Sequence, residues 1–169
     1  STYQSPCLGR ISMTPNYFNP IPTGPEIDVE SNTVSIQSNN TTYQNANNTL
    51  LGAAPAGSFI TKTYSIFNSG ISNLSISGMT LSGVNAGNFA IVSPFIGTIA
   101  PGEMAQFQVK FTSSGTGYKS ASVSIQNNDV SENPFVINLK AYSGTAQLLN
   151  FDGVNDWVNS GINCDNSVM

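Results

Sequence analysis

What most constrains this chain is a repeated alternation of apolar and polar residues in short runs, each closed by a turn signal. Ala105, Phe107, Val109 and Phe111 alternate with Met104, Gln106, Gln108 and Lys110. Ala121, Val123 and Ile125 alternate with Ser120, Ser122 and Ser124. Phe135, Ile137, Leu139 and Ala141 alternate with Val136, Asn138, Lys140 and Tyr142. Successive side chains of a strand point to opposite faces, so each run reads as a strand with one face buried and one wetted. The same period joins Ile27 and Val29 against Glu26, Asp28 and Glu30, and resumes at Val34 and Ile36 after a break at Ser31-Asn32. It returns over 59–68, with Tyr64 and Ile66 opposite Thr63 and Ser65, over 74–81, and at Phe89 and Ile91.

The breaks between runs are turns. Asn68-Ser69-Gly70, Ser113-Ser114-Gly115-Thr116-Gly117 and Asn127-Asn128-Asp129 are rich in residues that turn a chain. Ala100-Pro101-Gly102-Glu103 places Pro and Gly for the two central positions of a type II turn. One short helical turn is expected just before Phe89. About seven strands, with turns roughly every eight to twelve residues and no amphipathic helix, predict an all-β antiparallel sandwich of immunoglobulin-like size over 25–144. Phe107, Val109, Phe111, Val123, Ile125, Ile137 and Leu139 are its expected core. Roughly fifteen inward side chains at about 1.5 to 3 kcal/mol each make that core adequate. Residues 38–49, SNNTTYQNANNT, read as a polar excursion. Residues 1–24 hold Pro6, Pro15, Pro20 and Pro22 and no sustained period, which predicts an extended N-terminal arm. Residues 145–169 are expected to form a C-terminal arm.

The polar positions are filled in an unusual way. Among 169 residues only 8% are charged, while 23 Ser, 14 Thr, 21 Asn and 7 Gln supply the wetted surface. A surface of hydroxyls and amides suits the outside of a cell better than the cytosol. There is no His, which excludes a Ser-His-Asp or Cys-His catalytic group and an imidazole metal site. Five cations against nine anions leave no electrostatic footprint for nucleic acid and no polybasic membrane patch. No apolar run approaches the roughly 18 residues that a membrane span needs. No signal peptide is visible at Ser1, so export would require one that was removed or lies upstream.

Several segments together resemble a known family. They are "GPEIDVESN", "TKTYSIFNSGISNLSISGMTLSGVNAGNFAIV" and "IAPGEMAQFQVKFTSSGTGYKSASVSIQNNDVSENPFVINLKAYSG". Over 24–145 they are similar to the bacterial choice-of-anchor D domain, within the wider group of Hydin-type and major-sperm-protein-like immunoglobulin-like sandwiches. The Asn-rich stretch at 38–49 departs from that pattern. A second resemblance starts where the first stops: "LLNFDGVNDWVNSG", 148–161, looks like the first strand of a concanavalin-like or laminin-G-like jelly roll. That resemblance implies a fragment of a longer protein. Together the two imply a non-catalytic structural or interaction module of an exported bacterial cell-surface protein, adhesin-like and carried by type IX secretion. Its partners would be other domains of the same long chain or cell-surface and secretion proteins, with no nucleic acid and no membrane insertion. Two alternatives stand beside it. One is a carbohydrate-binding accessory module of a secreted polysaccharide-degrading protein. The other is a filament subunit that assembles by strand pairing.

Candidate chemistry is sparse. Tyr43, Tyr142 and Trp157, with Tyr118 beside them, are rings on which a sugar could stack. Tyr142 falls on an outward position and Tyr43 on a polar stretch, so the core explains these two least. Asp152, Asn155 and Asp156 could supply oxygen ligands to calcium; apart from that no cofactor is expected. Glu26, Asp28 and Glu30 share one strand face at ~7 Å steps and could act as paired carboxylates or a cation site, or simply form a solvated face. Cys7 and Cys164 are the only cysteines, either bridged or free. The apolar row Leu149, Phe151, Val154 and Trp157 is expected to dock against other structure rather than hang free.

Overall fold

A computed structural model describes residues 23–144. Ten strands follow in order: β1 Ile27–Ser31, β2 Val34–Ile36, β3 Leu50–Ala54, β4 Phe59–Asn68 and β5 Leu74–Ser82, then β6 Phe89–Ser93, β7 Gly97–Ile99, β8 Met104–Thr112, β9 Gly117–Asn127 and β10 Phe135–Ser143. A single 3-10 turn, Ala86–Asn88, lies between β5 and β6. The strands form two five-stranded sheets, β2-β1-β4-β8-β6 and β3-β10-β9-β5-β7. The inner rows meet between them. Tyr64, Ile66, Phe107, Val109 and Phe111 from one sheet face Leu74, Val123, Ile125, Phe135, Ile137 and Leu139 from the other, all buried. Every expected core residue lies there. Tyr64 stacks on Phe107 at 5.2 Å between ring centres. The all-β immunoglobulin-like sandwich is the observed fold.

Two features correct the sequence reading. The strand number is ten rather than about seven. The run read as one strand over 27–36 is a hairpin, because Asn32 and Thr33 both have positive φ, 52° and 61°, as a tight type I′ turn requires. The other additions are β3 and β7, which carry no period-two signature. Gly52 in β3 has φ 108°, and the pairing of β3 with β10 shifts register between Lys140 and Tyr142, so inward and outward positions do not alternate along it. With three residues, β7 is too short to show a period. The sheets are also not purely antiparallel, since β3 runs parallel to β10. That direction follows from the path of 37–49, which crosses from the first sheet to the edge of the second.

The crossing segment is polar in sequence, yet part of it is interior. Asn47, Asn48 and Thr49 are buried. Asn48 Nδ2 donates to Ser31 Oγ at 2.7 Å, Ser31 Oγ donates to the Thr63 carbonyl at 2.6 Å, and the Tyr64 hydroxyl donates to the Asn48 carbonyl at 2.9 Å. Buried polar groups cost stability unless paired, and here each finds a partner in the first sheet or within the segment itself. Burial pushes the Tyr64 phenol far above its ordinary pKa. Asn39 N–H donates to the Val136 carbonyl, and the Asn138 side chain donates to the Asn40 carbonyl, so the segment covers the first half of β10 before β3 covers the second.

Candidate functional site

The alternation along β10 puts Lys140 and Tyr142 on the outer face of the second sheet, with Asn138 and Val136 below them. Register adds what the sequence order cannot. Tyr142 pairs with Tyr118 and Lys140 with Ser120, so the tyrosine at the start of β9 stands beside the one at the end of β10. Their rings meet edge to face at 5.1 Å and 72°, a favoured arrangement for aromatic quadrupoles. The Lys140 ammonium lies 4.8 Å from the Tyr118 ring centre and 5.1 Å from that of Tyr43, brought in by the crossing segment. Both distances are within cation–π range. Tyr118 remains 64% exposed. Toward the middle of the sheet the outer row of β9 continues as Ser120, Ser122 and Ser124.

Of the residues singled out from sequence, Tyr43 and Tyr142 therefore come together. Tyr118 and Lys140 complete the group, and Lys140 carried no assigned role until the fold placed its ammonium over the rings. Its outward position and its i, i+2 spacing from Tyr142 were the available signal. Trp157, the calcium candidates Asp152, Asn155 and Asp156, and Cys7 and Cys164 lie outside the described residues. So do the two arms, apart from residues 23 and 24.

Charge is distributed in a way that the sequence hides. β1, β8 and β10 begin at one end of the sandwich, where β4 and β9 finish. Five of the six described carboxylates sit there: Glu26, Asp28, Glu103, Asp129 and Glu132. All four described lysines are toward the opposite end: Lys62 and Lys110 in paired stretches of β4 and β8, Lys119 and Lys140 in β9 and β10. There Lys110 Nζ lies 5.5 Å from the centre of the Phe59 ring, which is 65% exposed.

The acidic end is tightly wired. Asn68, fully buried, donates through Nδ2 to the Ser72 and Ile99 carbonyls at 2.8 and 2.9 Å and accepts from the Gly70 N–H at 3.1 Å. Asp129 accepts from the Ile27 N–H at 3.1 Å and from Ser131 N–H and Oγ at 2.9 and 2.7 Å. Burial alone would push the Asp129 carboxyl up, but these hydrogen bonds and one from the Glu132 backbone together hold it below the usual aspartate value. Glu26 and Glu132 are pushed up, first by desolvation and then by repulsion from Asp129 and the neighbouring carboxylates. Of the trio Glu26, Asp28 and Glu30, the first two do acquire acidic neighbours from the β9–β10 turn, but no group of three or more acidic, Cys or His side chains among the described residues could hold a metal ion. Asp129 is committed to backbone N–H groups instead.

A two-sheet sandwich with this inner core, crossing segment and aromatic outer corner defines an immunoglobulin-like module. A model of the HYDIN/CFA65/VesB-like immunoglobulin-like domain matches residues 42–142, and the chain belongs to that family. A protein of unknown function from Porphyromonas gingivalis W83 superposes with a TM-score of 0.51 at 15% identity, covering 75% of this chain and 51% of that one. The chain thus spans about half the length of that protein. The VesB protease of Vibrio cholerae aligns at 18% identity over 56% of this chain and 29% of its own, with a TM-score of 0.45. The MSP-domain-like protein SSP-19 of Caenorhabditis elegans aligns at 13% identity over 57% and 95%, with a TM-score of 0.38. No curated protein sequence matches the chain.

Proposed function

We propose that residues 25–144 are a non-catalytic spacer and interaction module of an exported bacterial surface protein. The observation that carries this reading is the path of the chain. It comes in at the acidic end, where the Gly24 carbonyl accepts from the Ile71 N–H at 3.0 Å ahead of β1. It leaves at the lysine end, where the Gly144 N–H donates to the Ala54 carbonyl at 2.8 Å. With β9 at 11 residues, the two ends stand roughly 35 Å apart at the rise of an extended strand. A sandwich threaded end to end lengthens the chain that carries it. The resemblances to choice-of-anchor D and to a following jelly-roll strand, the adhesin-like role, type IX export and a cell-surface location all belong to this reading. Its test is replacement. In the full parent protein, an unrelated sandwich of equal end-to-end length in place of 25–144 should preserve export and surface display. Loss of either would mean that this module carries a specific interaction and would overturn the spacer role.

A second reading, glycan binding, has a specific observation behind it: the grouping of Tyr43, Tyr118 and Tyr142 around Lys140. An exposed Tyr118 ring flanked by the half-buried Tyr43 and Tyr142, beside hydroxyl and amide side chains, suits the apolar and polar faces of a sugar. Strand pairing into a filament fits less well. The edge strands β2, β3, β6 and β7 are three to five residues long, and β3 and β6 shift register against their neighbours. Short, irregular edges disfavour addition of another strand.

A further inference from the structure

We infer that the face formed by Tyr118, Lys140 and Tyr142 binds an acidic polysaccharide, one whose sugars carry carboxylates such as uronic acids; this rests on the glycan reading and narrows it. Three observations point the same way. The first is the exposed Tyr118 ring, T-shaped against Tyr142, with the row of Ser120 and Ser122 leading away along β9. A pyranose can lay its C–H face on the part of the ring that Lys140 and Tyr142 leave open while its hydroxyls meet that row. The second is the Lys140 ammonium, held 4.8 Å from the Tyr118 ring centre. A sugar stacked on Tyr118 brings a ring carboxylate within reach of that cation, which a neutral sugar would leave unused.

The third observation is the segregation of charge. The net charge is −4, which by itself would repel an anionic polymer. Five described carboxylates lie at the far end of the sandwich and all four described lysines at this one. At roughly 8 Å of screening length in physiological salt, a ligand at this face senses Lys140 and hardly the distant acids. The Lys110 and Phe59 pair repeats the ring-and-cation combination on the other sheet at the same end, so a long polymer has a second place to touch. An acidic peptide could also seek lysines, but the sheet edge beside this face, β3, is five residues long and shifts register against β10, which disfavours strand addition.

The test uses the full chain, titrated by calorimetry with polygalacturonate and, separately, with neutral dextran. Binding of polygalacturonate but not dextran is expected, weakening as salt rises. Lys140→Met and Tyr118→Ala should each lower affinity at least about tenfold, while Lys140→Arg retains it. The unfolding midpoint of each variant distinguishes lost binding from lost folding. Equal binding of dextran, with Lys140→Met unaffected, would overturn the acidic specificity and keep the glycan reading. Binding of neither polymer would overturn both. Self-association of the chain at low salt, abolished by Lys140→Met, would assign the lysine end to the acidic end of a second copy and also overturn the proposal.

Discussion

The two ends of this sandwich are built on opposite principles. At the acidic end, buried amides and a buried carboxylate are spent on backbone hydrogen bonds. Asn68 and Asp129 tie β1, the β4–β5 turn, β7 and the β9–β10 turn into one unit. At the lysine end, rings and ammonium groups satisfy one another on the outside, and Phe59 and Tyr118 stay largely exposed. Both ends expose apolar side chains, Ile71, Met104 and Val130 at the acidic one, but among the described residues it is at the lysine end that exposed rings stand beside ammonium groups. Exposed aromatic faces beside cations are a cost that a purely structural end would avoid. The division also separates where damage should unfold the protein from where it should only silence it.

The sharpest way to break the comparison is Asn68→Leu. It would strand the Ser72 and Ile99 carbonyls and the Gly70 N–H in a buried site. A loss of about 4 kcal/mol is expected, read as a large fall in the urea midpoint. A change of less than about 1 kcal/mol would mean that water replaces the amide and that this end is not wired as described. Gly70→Ala should act at the same end through sterics. A methyl there would overlap the Gly24 carbonyl and come within 2.6 Å of the Glu26 nitrogen, both backbone atoms that cannot swing aside. About 2 kcal/mol of destabilisation is expected from such overpacking, measured the same way.

Acidity tests the same end more gently. Glu26 and Glu132 have raised folded-state values, so their protonation favours the fold. Their contribution is fully present below the ordinary glutamate value of 4.5 and is lost as pH rises through the raised one. Asp129 is depressed, so its contribution is present above the ordinary aspartate value of 3.8 and is lost as pH falls through the lowered one. Stability should therefore rise modestly from neutral pH toward mild acid and then fall in stronger acid. In a series of thermal melts, Glu26→Gln with Glu132→Gln should flatten the rise, and Asp129→Asn should remove the acid limb. A profile unchanged by either would detach these carboxylates from the fold. The smallest stability effect belongs to the lysine end. Tyr118→Ser should shift the urea midpoint by no more than about 0.5 kcal/mol, as an exposed side chain does, and a larger loss would make Tyr118 a packing residue instead.

Much of the framework was legible because period two is a local signal. Strand β4 lies at 59–68, where its alternation placed it, and the turn at Ala100–Glu103 has its Gly102 at φ 79° as a type II turn requires. What escaped was short or irregular. β3 breaks its period at Gly52, β7 has three residues, and the hairpin at Asn32-Thr33 looks in sequence like a mere interruption. The Asn-rich stretch misled for a related reason. Composition says solvent, but Asn47 and Asn48 can go inside because partners come from β1, β2 and β4, and Thr49 because Gln44 and Asn47 of the same segment pair with it.

The candidate site shows the same boundary. The sequence by itself determined which residues face outward on β10, since alternation is a property of consecutive positions, and it marked Tyr43 and Tyr142 as rings the core did not need. Only the tertiary structure decided that Tyr118, 24 positions before Tyr142, would stand beside it, that the crossing segment would bring Tyr43 over Lys140, and that acids and lysines would part to opposite ends. Those are facts of register and strand direction. They are fixed by how two sheets close over a common core, and residues far apart in the chain carry no local trace of them.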